Sequence, residues 1–233
     1  MPYDRPMARQ LRAAVASVLV ALMLCACTTS VSGRAIRAPG QSPAGGSTSG
    51  SPAPARIAAR DLLLQDGDPT PLGRATAVSV GDSYFTSVQP PECTAALLFK
   101  GSPLQPARSS DHAELGYRVD GQALYAESID VYDKSLNTHD VVWKGFGAVS
   151  KCHGDAVGHA PLGDSRPMRL SYFGTPSDGV LVWTMTAPDW TCDYGLAVLA
   201  RTALMLSLCD FKPGFPMADW ASKRRAQLDS RTT

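Results

Sequence analysis

Gly81-Asp82-Ser83, after the apolar segment 77–80, is the sequence that best fits nucleophilic chemistry. A serine at the end of a strand becomes a nucleophile when a histidine takes its proton and a carboxylate orients that histidine. GDSL-type esterases supply both partners from an Asp-x-x-His block, which this sequence does not contain. The pattern therefore favours a Gly-Asp turn between strands. We expect no catalytic residue and keep a GDSL-like hydrolase using Ser83 as an alternative.

His153 and His159, with Asp155 between them, have the residue types of a metal or acid–base cluster. They follow a predicted helix directly, where solvated polar residues are common. The phosphate-binding sequence G-x-x-x-x-G-K-[ST] is absent. We therefore expect no metal site and no cofactor.

Cys27 ends the sequence Leu24-Cys25-Ala26-Cys27, which follows the apolar run 13–24 and a basic segment with three arginines. This order is typical of a bacterial lipoprotein signal, because the run is too short to span a bilayer but suits a signal peptide. We predict a signal peptide over 1–26 and a diacylglycerol on the Cys27 thiol, which anchors the chain at the extracytoplasmic face of the cell membrane. An ordinary secretory signal with incidental cysteines is the alternative.

Four further cysteines remain after Cys27, and an even number in an exported chain implies disulfides. Three connectivities are possible. We favour Cys93–Cys152 and Cys192–Cys209, since the second pair closes a short loop between neighbouring strands. Metal binding is disfavoured because no pair has C-x-x-C spacing.

The composition is that of a globular protein, with 233 residues, 44% hydrophobic residues and a net charge of +1. A nucleic-acid partner is not expected, because basic residues (22) barely exceed acidic ones (21). Residues 28–55 are rich in Ser, Gly and Pro. The range 27–55 is therefore predicted to be the lipidated cysteine with a flexible linker, followed by one folded domain over 56–233.

Helices and strands are mixed in the predicted domain without regular βαβ alternation. This order favours an α+β fold with a largely antiparallel sheet. The predicted helices cover 56–65, 93–100, 136–152 and 217–229, and the predicted strands cover 117–119, 123–132, 168–173, 180–186 and 194–208.

Short motifs in a fixed order resemble the PknH-like extracellular domain family of mycobacteria. They are an Ala-Arg-Asp-Leu-Leu-Leu helix at 59–64, Pro91-Glu92-Cys93, the segment 127–132 before a helix ending at Lys151-Cys152, and the apolar segment between Cys192 and Cys209. Two local features depart from the family. Trp143 lies nine residues before Cys152, and 199–202 replaces an Asn-rich turn.

The resemblance implies a twisted antiparallel sheet with packed helices, the disulfide pairing given above and a cleft for an unidentified ligand. It implies no established enzyme activity. We therefore expect a sensor-like binding module whose partner is an envelope small molecule, glycan, lipid or protein. A structural envelope protein is a further alternative. The predicted ligand contacts are the aromatic residues Tyr125, Tyr132, Tyr172, Trp183 and Trp190.

Overall fold

The computed structural model describes residues 57–232 of the chain. The predicted signal peptide, Cys27 and the linker to residue 55 lie outside the described residues. Within residues 57–232, no helix is long and apolar enough to cross a membrane.

Four helices are interspersed among the strands of residues 57–232. They are α1 (Ala59–Leu62), α2 (Thr94–Leu97), α3 (Thr138–Val149) and α4 (Met217–Thr232), and a 3₁₀ turn at Pro91–Cys93 leads into α2.

Twelve strands make up the rest of the regular structure in the described part of the chain. They are β1 (Pro69–Thr70), β2 (Gly73–Arg74), β3 (Thr76–Val78), β4 (Ser87–Gln89), β5 (Asp111–Arg118), β6 (Leu124–Val131), β7 (Val157–Ala160), β8 (Gly163–Asp164), β9 (Arg169–Ser177), β10 (Val180–Ala187), β11 (Trp190–Val198) and β12 (Thr202–Asp210).

A seven-stranded sheet with the order β3-β5-β6-β12-β11-β10-β9 forms the centre of the domain. Every neighbouring pair in it is antiparallel. Strands β4, β7 and β8 form a second, small antiparallel sheet. The predicted α+β class with a largely antiparallel sheet is therefore confirmed.

Both faces of the central sheet are covered by helices. Alternate side chains of a strand point to opposite faces, so a single strand can pack against helices on both sides. On β10, Leu181 and Trp183 join a cluster with α2 and α3, whereas Val180 and Val182 join a cluster with α1 and α4. The first face is called the disulfide face below, since Cys93, Cys152, Cys192 and Cys209 all belong to its cluster.

The segment 194–208, predicted as one strand-like run, is instead part of the hairpin β11–β12. Strands buried on both faces are apolar at nearly every position, so the turn between them carries little polar signal. The turn at 199–201 is closed by Leu199 N–H donating to Thr202 O at 2.8 Å, and Leu199 itself is buried. Arg201 fixes the turn by donating to the carbonyl oxygens of Tyr132 and Asp133.

The predicted helices are all present, but their lengths differ. α1 has four residues instead of ten, and α2 has four residues after the 3₁₀ turn. α3 begins after Asn137, whose side-chain oxygen accepts from Asp140 N–H at 3.1 Å as an N-cap. α4 continues three residues beyond the predicted end.

Both favoured disulfides are present. Cys93 is bonded to Cys152, and Cys192 is bonded to Cys209, which faces it across β11 and β12. The first bond links the start of α2 to the residues after α3. The second links two central strands of the large sheet.

Candidate functional site

A pocket of about 310 Å³ opens on the disulfide face, at the end of the large sheet nearest the small sheet. Its walls come from segments far apart in the sequence. They are 83–85 before β4, Leu97 of α2, Leu124 of β6, 163–166 and Met168 around β8, Ala187, Asp189 and Trp190 at the β10–β11 turn, Tyr194 of β11, and Cys209 and Phe211 at the end of β12.

The inner wall of the pocket is apolar and rigidly held. Leu97, Met168 and Tyr194 are each at most 1% exposed, and Cys209 is held by its disulfide. The Tyr194 ring stacks on Trp183 at 5.3 Å, and its hydroxyl donates to Leu97 O at 3.2 Å. The Tyr194 hydroxyl is therefore already bonded within the protein.

Two aromatic side chains form part of the pocket mouth. Trp190 and Phe211 meet edge to face with ring centroids 4.6 Å apart. Phe211 is 57% exposed, although aromatic rings gain free energy when buried. The mouth therefore offers an aromatic surface to a bound molecule.

Charged groups at the mouth are paired with one another. Arg166 Nη1 lies 2.7 Å from Asp189 Oδ2, and His159 Nδ1 lies 2.7 Å from Asp164 Oδ1. These pairs are largely exposed. Arg166 and Asp189 therefore offset each other's charge at the mouth.

Residues 79–86, called the strap here, carry Ser83, Tyr84 and Phe85 from the edge of the large sheet to the small sheet. The strap crosses β5 closely, because a Cβ on Gly116 would lie 3.0 Å from Ser79 O. The Tyr84 ring packs on Phe99 at 5.0 Å. Burial, with a contribution from Glu114, raises the pKa of the Tyr84 phenol. Tyr84 therefore remains an uncharged wall residue at neutral pH.

A row of small residues lies across the disulfide face beside the pocket. Gly116 pairs with Ala126, Ala126 with Ser207, and Ser207 with Tyr194 on adjacent strands. Ser207 is 1% exposed, and its hydroxyl makes no hydrogen bond of ordinary geometry within residues 57–232. Its polar neighbour there is the Tyr194 hydroxyl, whose pKa it lowers against the larger effect of burial, so Ser207 is a weakly bonded buried polar group beside the pocket wall.

Three of the predicted ligand contacts are interior residues bonded to the protein itself. Tyr125 lies on the α1/α4 side and donates to Glu127 at 2.7 Å. Tyr132 donates to Pro106 O at 2.7 Å, and Trp183 Nε1 donates to Ala96 O at 2.8 Å. All three are at most 4% exposed.

Tyr172 is exposed on the edge strand β9, away from the pocket lining. None of Tyr125, Tyr132, Tyr172 and Trp183 lines the pocket, so ligand contact by these four stays a prediction. Trp190 does line it.

Ser83 is exposed and lines the pocket, as does Asp164, the partner of His159. The structure thus places a serine in the same pocket lining as the carboxylate of a histidine–aspartate pair, which the sequence order did not suggest. No hydrogen bond joins Ser83 to a histidine within the described residues. The Asp164 side chain is 61% exposed, unlike the buried carboxylate that orients a catalytic histidine.

Asp155 does not join His153 and His159 in a cluster, because it forms an ion pair with Arg169. Hydrogen bonding to Arg169 lowers the pKa of the Asp155 carboxyl. Across residues 57–232, no group of three or more His, Cys, Asp and Glu side chains is arranged to hold a metal ion.

Sequence reasoning missed most of the pocket wall, including Tyr84, Phe85, Met168 and Phe211. These residues lie in connections or at strand ends, where periodicity carries little information. The one available signal was an aromatic residue at three of these four irregular positions, Tyr84, Phe85 and Phe211.

Comparison with solved structures finds the same fold in the crystal structure of the extracellular domain of PknH from Mycobacterium tuberculosis. The TM-score is 0.58, over 75% of this chain and 97% of that chain, with 13% sequence identity. The domain is therefore PknH-like in fold. No protein-family profile matches the chain.

Curated relatives give the closer relationship. Proteins named as the lipoprotein LprH in Mycobacterium tuberculosis and Mycobacterium bovis are 63% identical over 228 residues, covering 97% of this chain and 97% of each relative. The chain belongs to this LprH family of lipoproteins with a PknH-like extracellular domain. The predicted family resemblance is confirmed.

Proposed function

We propose that this chain is a lipid-anchored, extracytoplasmic, non-catalytic binding module, and that the pocket on the disulfide face holds an apolar small molecule of the cell envelope. The observation that carries the proposal is the pocket itself, with its apolar inner wall and aromatic mouth. Ligand sites are typically concave and mostly apolar, with few polar groups. The name of the LprH relatives supports the lipid anchor at Cys27, and the PknH-like fold supports a sensor-like role.

The pocket is suited to binding because its wall is already organised. Trp183, stacked behind Tyr194, and the Cys192–Cys209 disulfide fix the inner wall before any ligand arrives. A pre-formed wall avoids the ordering cost that a flexible site would incur on binding.

A pocket-filling variant tests this function directly. Ala187 lines the pocket at the end of β10, so Ala187→Trp places a large ring in it. Thr186→Trp is the matched control, because Thr186 is the adjacent strand residue and points to the opposite face. Both variants and the wild type are purified with disulfides intact, and organic extracts are analysed by mass spectrometry.

Wild type and Thr186→Trp are expected to retain a common apolar compound that Ala187→Trp lacks. The same compound, added back, should raise the melting temperature of wild type but not of Ala187→Trp. Equal retention by both variants, or no compound and no thermal shift with envelope extracts, would contradict the proposal and favour a structural contact protein.

The proposal that the protein is non-catalytic is tested separately. Wild type and Ser83→Ala are expected to show the same background rate on p-nitrophenyl esters, because no histidine among the described residues is hydrogen-bonded to Ser83. A wild-type hydrolysis rate that Ser83→Ala abolishes would replace this proposal with the serine hydrolase.

A further inference from the structure

Exposed apolar side chains are concentrated at the pocket mouth. Within residues 57–232, six large hydrophobic side chains are exposed, and three of them belong to this region: Leu124 (41%), Leu162 (77%) and Phe211 (57%). Leu124 and Phe211 line the pocket, and Leu162 is at the β7–β8 turn directly before the lining residue Gly163. These three residues are called the apolar rim. They come from three separate segments, so their grouping is a property of the fold.

Polar groups around the pocket are mostly bonded to the protein itself. Tyr194 donates to Leu97 O, and Ser165 Oγ accepts from Gly158 N–H at 2.9 Å. Arg166 is paired with Asp189. A sugar or a charged ligand would need unbonded polar partners, whereas a hydrocarbon chain needs none. The chemistry of the pocket therefore fits an acyl chain.

We propose that the apolar rim rests on the bilayer surface and that the pocket receives a hydrocarbon chain of a membrane lipid. This inference rests on the proposed function and deepens it by naming the ligand class and the surface that presents it. An exposed apolar cluster beside an apolar pocket is the arrangement expected where a protein meets lipid or another apolar surface.

The length of chain before the domain favours the bilayer over a protein partner. Twenty-nine residues separate Cys27 from Ile57, the first described residue. The linker predicted from the Ser, Gly and Pro content of this segment would have a root-mean-square span of about 30 Å, from roughly 5–6 Å times the square root of the residue number. With Cys27 lipidated, the bilayer is held at high effective concentration beside the rim.

Fluorescence quenching by brominated lipid tests the docking with the full chain reconstituted into phosphatidylcholine/phosphatidylglycerol vesicles. Trp183 and Trp220 are buried, which leaves Trp190 at the pocket and the half-exposed Trp143 on α3 as reporters. Trp143→Phe reports on Trp190, and Trp190→Phe reports on Trp143. Emission is compared between vesicles with and without bromine on the acyl chains.

The emission of Trp143→Phe is expected to be lower in vesicles with brominated acyl chains than in vesicles without bromine. The emission of Trp190→Phe should differ little between the two kinds of vesicle. In the Trp143→Phe background, Leu162→Glu should abolish the loss, since it places a charge on the rim. Tyr172→Glu, an equally drastic change at an exposed site on β9, should leave it intact. Equal quenching of the two reporters, no quenching of Trp190, or a chain that does not float with the vesicles overturns the inference.

The outcome remains distinguishable from failure of the proposed function. A compound retained by wild type but not by Ala187→Trp, together with unquenched Trp190, leaves the binding module in place and overturns only the membrane docking. Absence of both results overturns both. A retained compound without a hydrocarbon chain overturns the ligand class alone.

Discussion

Arg224 of α4 and Glu127 of β6 form a two-pronged ion pair in which neither side chain is exposed. Arg224 Nε lies 2.7 Å from Glu127 Oε1, and Nη2 lies 2.8 Å from Oε2. The carboxylate also accepts from the Tyr125 hydroxyl and from Leu64 N–H next to α1. One buried carboxylate therefore joins the first helix, a central strand and the last helix.

Glu127→Ala is expected to destabilise the domain by about 3–5 kcal/mol, because it leaves the Arg224 guanidinium buried without a counter-charge. Asp189→Ala is the control. It breaks the exposed Arg166–Asp189 pair and should cost about 0–1 kcal/mol. Urea unfolding of both variants measures the difference, and equal costs would mean that the buried pair is not held as described.

Ser207→Ala is expected to leave stability unchanged or to raise it by up to about 1 kcal/mol, because within residues 57–232 the buried hydroxyl has no hydrogen bond of ordinary geometry to lose and only a weak interaction with the Tyr194 hydroxyl. Ser128 is a matched control on the same face of neighbouring β6, also 1% exposed, but its Oγ accepts from Gln105 Nε2 at 2.9 Å. Ser128→Ala should cost about 0.5–1.5 kcal/mol. Thermal unfolding of the two variants compares them, and the reverse order would contradict the assignment.

Replacing each cystine by two alanines tests the disulfides. Loss of Cys192–Cys209, with a sequence separation of 17, is expected to cost about 3 kcal/mol through loop entropy, and loss of Cys93–Cys152, with a separation of 59, about 4 kcal/mol. Denaturant midpoints give both values. The pocket should suffer more from the first change, since Cys209 is in its wall. Retention of the apolar compound after that change would show that the disulfide does not organise the wall.

Asp193 provides a pH test of burial. Its carboxyl is 6% exposed and accepts from Thr184 Oγ1 at 2.6 Å. Burial raises the pKa of Asp193 above its unfolded value, so the folded state holds the proton more tightly than the unfolded state. The contribution of the Asp193 carboxyl to the free energy of unfolding is therefore most favourable at low pH. It falls as the pH rises through the pKa of the folded state.

Asp193→Asn is expected to remove this loss of stability with rising pH, since the amide does not ionise and its oxygen can still accept a hydrogen bond from Thr184. The stability of the variant relative to wild type should increase from about pH 3 to about pH 7. Urea midpoints across this range give the difference curve. A flat curve or one of opposite slope would show that the carboxylate is not desolvated.

Sequence reasoning reached the fold class, the family and the disulfides because their signals are local. Alternation of residue types and the motif around Cys93 can be recognised without knowing what lies next to them in space. The residue pattern ran through the turn at 199–201, because Leu199 is buried there and an apolar residue occupies a position where turns usually expose polar ones. Only the family resemblance placed a turn at 199–202. The small sheet was missed because β4 and β8 have only three and two residues.

The pocket could be located only from the structure. Tyr84 and Phe211 are 127 positions apart in the chain, and no spacing rule relates them. Aromatic residues of a predicted sheet are more often part of the core than ligand contacts, and Tyr125, Tyr132 and Trp183 do lie in the interior. Trp190, chosen as a ligand contact in the same way, lies at the start of β11 and lines the pocket.

The most direct test of the central claim is mass spectrometry of organic extracts from the full chain, purified from membranes in parallel with Ala187→Trp and Thr186→Trp. The pocket assignment predicts one apolar compound, near one per chain, in wild type and Thr186→Trp and its absence from Ala187→Trp. Equal amounts in all three proteins, or none in wild type, would contradict the assignment of this pocket as the binding site.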